Sequence, residues 1–474
     1  MRKSIYVVTS IIGLLLVSAC KPSKNISVPD LAAVPDTFMK QDSVQPLPLN
    51  WNDYFSDSLL IALIDTAIRH NLDVRVALQR IEQAGASVRF AKGTILPTVH
   101  GGATAAVRRF GLYTMDGAGN STTEIEPGLI VPTNLPDYLV GLQTSWEADV
   151  WGKLRNRKKA AAARYLSSIE GKNWLTTTIV AEVASSYYRL LALDRELSMI
   201  RENITLQSNA VEIVKLQKEA GATNELAVQQ FQAQLLNTRG LEMEVRQQII
   251  EEEGHINYLL GRFTQSIPRY KELFQQQVPL PLQAGKPVDV LQSRPDVKQA
   301  ELEMLASRAD VKSAKAAFYP SLVINGGIGL QAFKTEVLFT TPESFIFSLI
   351  GSLSTPLLNR SAIRAEFKAA NARQVESIYN YQQRIIQGYN EVYNELNSIT
   401  NLQQIYTIKN EEVEVLYKSI ETSTELFKTG RATYLEVLLA QQKALYTQLD
   451  LVEVRRKQLQ ASVNVYKAMG GGWK

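Results

Sequence analysis

Two stretches of the chain carry an apolar position every seven residues over lengths that globular folds seldom use. From Lys153 to Ala220 there is no proline and one glycine, Gly171; from Ala362 to Thr429 the same holds, with Gly388. In the second stretch one column reads Ile378, Ile385, Val392, Ile399, Tyr406, Val413, Ile420 and Phe427, apolar at every step. Its partner column is mixed: Tyr381, Gly388, Glu395, Leu402, Lys409, Leu416 and Ser423. A sustained repeat of seven predicts helices that supercoil left-handedly against neighbours. At 1.5 Å per residue each helix is on the order of 95 to 100 Å long. After a glycine turn the seam resumes at Leu435, Leu438, Leu445, Leu449, Val452, Leu459, Val463 and Tyr466. The pattern predicts two coiled-coil hairpins.

The chain repeats itself. Asp73-Val74, Ala77, Ala86, Val88, Ala91-Lys92 and Pro97 recur 223 residues later, from Asp296-Val297 to Pro320. Further on the spacing is 209, relating Arg155 to Arg364, Gly221 to Gly430, Leu226 to Leu435 and Gly261 to Gly470. The first copy therefore carries about 14 extra residues between its two blocks, and the Gly- and Pro-rich stretch 106–138 is a loop composition able to absorb them. Each copy predicts a helix of roughly 24 residues, a strand, a loop, a strand, a very long helix, a Gly turn and another long helix. The boundaries that follow are 51–261 for the first repeat, 262–293 for a proline-marked linker, 294–470 for the second repeat and 471–474 for a short tail.

The strands are short and alternating. Segments 96–107, 138–148, 320–331 and 344–354 separate the helices; in the last, Phe345, Phe347, Leu349 and Leu353 alternate with Ser344, Ser348, Ser352 and Ser354, interrupted by Ile346 and Ile350. About ten alternating residues is the length of a tilted barrel strand, although a half-buried strand of a soluble sheet reads the same way. If these strands sit in lipid, four cannot close a barrel, and an open edge there leaves backbone groups unsatisfied at several kcal/mol each. Two chains would supply eight strands and a filled interior; three would supply twelve and a lumen.

The N-terminus adds a location. Arg2 and Lys3 precede an apolar run, Ile5 to Val17, too short to span a bilayer, which ends in Val17-Ser18-Ala19-Cys20. Small residues before a lone cysteine resemble a lipobox. We therefore expect residues 1–19 to be a signal peptide, Cys20 to be lipidated, and the proline-rich 20–50 to be an extended tether. Lys21 follows, not the aspartate that in some bacteria keeps lipoproteins in the inner membrane, which is compatible with delivery to the outer membrane. Cys20 is the only cysteine, so no disulfide is available.

Composition removes other classes. Charged residues are 21% and aromatics 8%, and the net charge of +4 gives no argument for nucleic-acid binding. The three histidines, His70, His100 and His255, lie in separate elements without cysteine partners, and Gly470-Gly471-Gly472 opens no helix. These residues provide no metal site, phosphate loop, cofactor site or catalytic constellation.

Three motifs then fix a resemblance that covers essentially the whole mature chain: Trp146-Glu147-Ala148-Asp149-Val150-Trp151-Gly152-Lys153-Leu154-Arg155, Arg294-Pro295-Asp296-Val297, and Asn464-Val465-Tyr466-Lys467-Ala468-Met469-Gly470-Gly471-Gly472-Trp473. In this order they resemble the TolC-like outer-membrane efflux proteins, in the lipoprotein branch typified by OprM. The resemblance implies a mainly α fold with a small membrane β part: a homotrimer sharing a twelve-stranded barrel and a twelve-helix periplasmic tunnel. It also implies docking to a periplasmic adaptor and an inner-membrane pump of the proton-driven RND type, and residence in the outer membrane with a long periplasmic extension.

The hairpins reverse at Gly221-Ala222-Thr223-Asn224 and Gly430-Arg431-Ala432-Thr433, a glycine C-cap followed by a Thr or Asn N-cap. The resemblance makes Gly221, Ala222, Thr223, Asn224, Gly430, Arg431 and Thr433 adaptor contacts. It also places Glu436 where the family closes its tip with inward acidic side chains, and Leu439 where many relatives carry a second aspartate. Thr433 and Glu436 have the spacing of a capping box as well, so gate and cap both stand. An exit duct for solutes is the expected function; a duct for secreted polypeptides and a poreless coiled-coil lipoprotein scaffold are the alternatives. No motif specifies the cargo.

Overall fold

The computed structural model describes residues 33–38, 50–269, 272–276, 286–355 and 360–473. The signal peptide, Cys20 and most of the expected tether lie outside these residues. Elements follow the order α1 (Trp51–Tyr54), α2 (Ser58–His70), α3 (Leu72–Gly93), β1 (Thr98–Arg109), α4 (Met115–Thr122), β2 (Glu124–Glu126), β3 (Leu129–Ile130), β4 (Asn134–Ala148), α5 (Lys153–Glu219) and α6 (Glu225–Leu259). There follow α7 (Pro287–Ser293), α8 (Pro295–Ala316), β5 (Ser321–Ala332), β6 (Phe345–Ser354), α9 (Arg360–Lys428) and α10 (Tyr434–Ala468).

The duplication is visible residue for residue. The bounds of α3 and β1 become those of α8 and β5 when 223 is added, and those of α6 become those of α10 when 209 is added. The 14-residue surplus falls between β1 and β4. That stretch is not simply a loop: it holds α4, started by the Thr114 hydroxyl accepting from Gly117 N–H at 3.1 Å, and the β2–β3 hairpin. Both of its ends, 106–109 and 134–138, continue the flanking strands. The linker 262–293 also contains structure, a 3-10 turn at Leu273–Gln275 and the helix α7, entered by Pro287 at its first position.

The chain divides into two compact units. One, built from 82–166 and 302–379, contains all six strands, α4, the later turns of α3, most of α8 and the first turns of α5 and α9. Its four main strands form one antiparallel sheet in the order β1-β4-β5-β6, so the two copies meet at the β4–β5 ladder and β1 and β6 are the edges. Phe367 and Ala370 of α9 pack with Val311 of α8 in its small core.

The other unit holds 30–81, 167–301 and 380–474. Its main core joins Leu60 and Ile64 of α2, Val180, Tyr187 and Leu190 of α5, Ile256 of α6 and Val452, Leu459 and Val463 of α10. The heptad columns behave as expected: every residue of both columns of α9 is buried or half-buried, Lys409 and Glu395 included. The α10 seam holds from Leu438 onward, but Leu435 is exposed. It stands one residue inside the helix start, where the backbone has just left the turn and Tyr434 and Leu438 take the inward positions beside Val211, Val228 and Phe231.

Candidate functional site

The sheet has one uncharged, apolar face and one mostly polar face. In an antiparallel ladder directly opposed residues share a face, so the register assigns every side chain. One face carries Phe345, Phe347, Leu349 and Leu353 of β6; opposite them stand Leu330, Ile328, Gly326 and Leu322 of β5. The same face continues through Val140, Leu142, Thr144 and Trp146 of β4 to Val99, Gly101, Ala103, Ala105 and Val107 of β1. From Val99 to Val107 and across all four strands this face bears no charge; Arg109 stands at its end. The other face is mostly polar: it carries Thr98, His100, Thr104 and Arg108 on β1, Asp137, Gln143, Ser145 and Glu147 on β4, Asn325 and Gln331 on β5, and Ser348 and Ser352 on β6, with Leu139, Val323, Ile346 and Ile350 among them.

The apolar face is bare. Phe347 is 80% exposed and Leu349 78%, which in water would be an aggregation surface of the kind soluble monomers avoid. Short residues meet at the junction of the two copies: Gly141 and Gly329 face each other on the polar side of the β4–β5 ladder, and Gly102 lies beside them on β1. His100, Gln143, Asn325 and Ser348 line one hollow on that side. Among the described residues no helix is long and apolar enough to cross a membrane. The strands are therefore the part of the described chain with a surface suited to lipid.

At the other end of the long helices, both hairpins turn by the same device. Gly221 and Gly430 have φ of 73° and 71°. Ala222 N–H donates to Gln217 O at 2.8 Å and Arg431 N–H donates to Leu426 O at 2.8 Å, the six-to-one bond of a Schellman motif. Each new helix is then capped differently. The Asn224 side chain accepts from Ala227 N–H at 3.0 Å. The Glu436 carboxylate accepts from Thr433 N–H, the glutamate half of the expected capping box, and, at 3.0 Å, from the Thr433 hydroxyl. Lys218 pairs with Glu225 across the first turn and holds that carboxyl below its usual range.

Gly221, Ala222, Asn224, Gly430, Arg431, Thr433, Glu436 and Leu439 are all exposed, and Thr223 is half-buried. Tyr434 and Leu438 of α10 pack against the tip cluster of α5 and α6, so the two turns are neighbours. Glu436 thus spends its carboxylate on the cap, while Leu439, 53% exposed one turn later, has no described partner surface.

Two features escaped the sequence reading. Gly141 and Gly329 lie inside segments read as strands, but their direct opposition across the β4–β5 ladder depends on a pairing register that the segments alone do not reveal. Arg294 read as a motif residue, yet it is fully buried: its guanidinium grips Asp296 through two bonds of 3.0 and 2.8 Å, reaches Glu391 at 2.8 Å and Ala468 O at 2.7 Å, and lies over the Trp174 ring.

Long helical hairpins joined to a sheet with one apolar and one polar face define a class, the channel protein whose membrane part is β and whose extension is α. The chain belongs to the outer membrane efflux protein family, whose model matches residues 63–262 and 287–471. It is 26% identical over 449 residues to the probable outer membrane lipoprotein SilC of Salmonella typhimurium, spanning 93% of each chain. It is 27% identical over 423 residues to the pyoverdine export outer membrane protein OpmQ of Pseudomonas aeruginosa, spanning 89% of this chain and 87% of that one. Its fold matches the open-state outer membrane channel MtrE of Neisseria gonorrhoeae with a TM-score of 0.81 at 22% identity, covering 94% of this chain and 98% of MtrE. The chain is therefore an outer-membrane efflux channel and not an enzyme.

Proposed function

We propose that three copies of this chain share one twelve-stranded barrel and form the passive exit duct of a tripartite efflux system. The carrying observation is the pairing of an uncharged apolar sheet face with two open edges, β1 and β6. In lipid each unpaired edge amide costs several kcal/mol, and joining β6 of one copy to β1 of the next satisfies them all. Three copies leave a lumen lined by the polar face. A lipidated Cys20 would anchor each copy, and the paired tips at Gly221 and Gly430 are the surfaces for a periplasmic adaptor that hands over solute from an inner-membrane pump of RND type. Three copies of Glu436 and Leu439 would gather at the narrow end, where carboxylates favour cations.

Purification of the full-length protein from membranes followed by mass measurement and planar-bilayer recording tests the proposal. A three-chain particle with unitary conductance steps is expected. A stable monomer, or a trimer that never conducts, would overturn it. Mass spectrometry of the mature N-terminus tests the anchor: acyl chains on Cys20 are expected, and an unmodified thiol refutes that part.

A further inference from the structure

The end of the sheet nearest the long helices is marked by aromatic residues with satisfied polar edges. Trp146 Nε1 donates to Ile95 O at 2.9 Å, Trp151 Nε1 donates to Pro320 O at 2.7 Å, and Trp151 stacks on Tyr319 at 4.8 Å. Half-exposed tryptophans bonded in this way suit the boundary between hydrocarbon and headgroups. Immediately beyond it the chain is basic. Segments 86–97, 149–165, 306–320 and 361–370 together hold thirteen lysines and arginines against three carboxylates, in a protein whose total charge is only +4.

These segments are one place. Ser313 Oγ donates to Lys153 O at 2.9 Å, joining α8 to α5. The Phe318 and Phe367 rings meet at 5.7 Å, joining the end of α8 to α9, and Gly85 of α3 lies against the Tyr165 ring of α5. Internal pairing accounts for some of the charge: Lys153 with Glu147, Arg155 with Asp149, and Arg164 with Asp310 and Glu303. Lys92, Arg157, Lys158, Lys159, Lys312 and Lys368 are exposed and make no ion pair among the described residues. Arg157, Lys158 and Lys159 lie in the second turn of α5 and Lys368 in the third of α9, toward the helix N-termini, where the macrodipole offers cations no stabilisation. Helix stability does not explain them.

We infer that this belt binds the anionic phospholipid headgroups of the inner leaflet of the outer membrane. The inference rests on the membrane reading of the strands. Basic side chains within a Debye length of an anionic surface attract it, and the attraction is screened by salt. The belt would set how deeply the barrel sits and resist tilting of the long helices.

The test uses the full-length trimer and a variant carrying R157Q, K158Q, K159Q and K312Q. Both are exposed to phosphatidylglycerol or phosphatidylcholine in detergent, and retained lipid is read by native mass spectrometry, with bilayer conductance recorded in parallel. Wild type should retain phosphatidylglycerol in preference to phosphatidylcholine, the preference should fall with salt, and the variant should lose roughly tenfold or more of it at unchanged unitary conductance. Equal retention of phosphatidylglycerol by both proteins overturns the inference. So does altered ion selectivity with unaltered lipid retention, because the side chains would then face the lumen. A wild type that never conducts refutes the channel reading instead, and is distinguished by the conductance arm.

Discussion

Gly141 and Gly329 oppose each other across the β4–β5 ladder so closely that neither position has room for a side chain. A Cβ on Gly141 would lie 2.5 Å from Ile328 O and 2.8 Å from Gly329 Cα; one on Gly329 would lie 2.6 Å from Val140 O and 2.9 Å from Gly141 Cα. Every clash is with backbone, so no rotamer change relieves it. The ladder must widen and lose hydrogen bonds at the junction of the two repeats. G141A or G329A should lower stability by about 1–3 kcal/mol or more and reduce the yield of assembled protein in membranes. Gly102, on the same face of the adjacent strand with open space around it, supplies the control. G102A should assemble as wild type, and equal defects in all three variants would contradict the argument.

Arg294 should be a stability determinant out of proportion to its surface invisibility. It and Asp296 are 0% and 4% exposed, and removing one partner of a buried pair strands the other, at about 3–5 kcal/mol. R294A should show a loss of that size by thermal or urea unfolding. R294K should recover little, because an ammonium cannot reproduce the bidentate fork or its stacking on Trp174. Recovery to wild-type stability in R294K would mean that charge alone matters. The first repeat solves the same joint without charge: Asn71, at the equivalent position, donates to Leu259 O at 2.9 Å and caps α3 through Asp73 and Val74 N–H.

These two sites show what the chain reveals on reading and what it conceals. The heptads, the duplication and the existence of four strands were legible because each is a periodic signal sustained over many residues. The lipid-type face was only partly legible. On β6 large apolar residues alternate with serine except where Ile346 and Ile350 interrupt, and on β1 the same face is Val99, Gly101, Ala103 and Ala105, too small to stand out. Helix α4 and the β2–β3 hairpin were hidden by glycines that usually mark loops. Burial of Arg294 was hidden because arginine normally reads as surface, and its partners lie at 391 and 468, far along the chain. Leu435 fits the apolar repeat, yet it falls on the first turn after the cap, where the seam has not begun.

The capping box gives Glu436 a local role that can be separated from any role at the narrow end of the duct. Both Thr433 groups donate to one carboxylate oxygen, and an amide oxygen can accept the same bonds. E436Q should keep the tip intact, whereas E436A should cost about 1 kcal/mol locally and accelerate amide exchange around Thr433. If three such carboxylates meet at the tip, E436Q should also lower the cation preference of the conductance measured by reversal potential. An unchanged reversal potential would leave Glu436 as a cap alone.

Glu196 offers the clearest pH dependence. Burial first, then the nearby Glu453 carboxylate, raises it from its ordinary 4.5 to about 7, with Arg456 and Arg189 opposing. Between pH 4.5 and 7 the folded protein holds a proton that the unfolded chain has released, so this group's contribution to stability falls as pH rises through that window and is fully lost above 7. E196Q cannot ionise and should escape the loss. Its stability advantage over wild type should be near zero at pH 4.5 and grow to about 1–3 kcal/mol above pH 7, the full shift being discounted for partial solvent exposure. Urea unfolding of both proteins at pH 5 and pH 8 measures the difference directly. A gap that is the same at both pH values would show that Glu196 does not titrate near neutrality, and that Arg456 and Arg189 outweigh burial and Glu453.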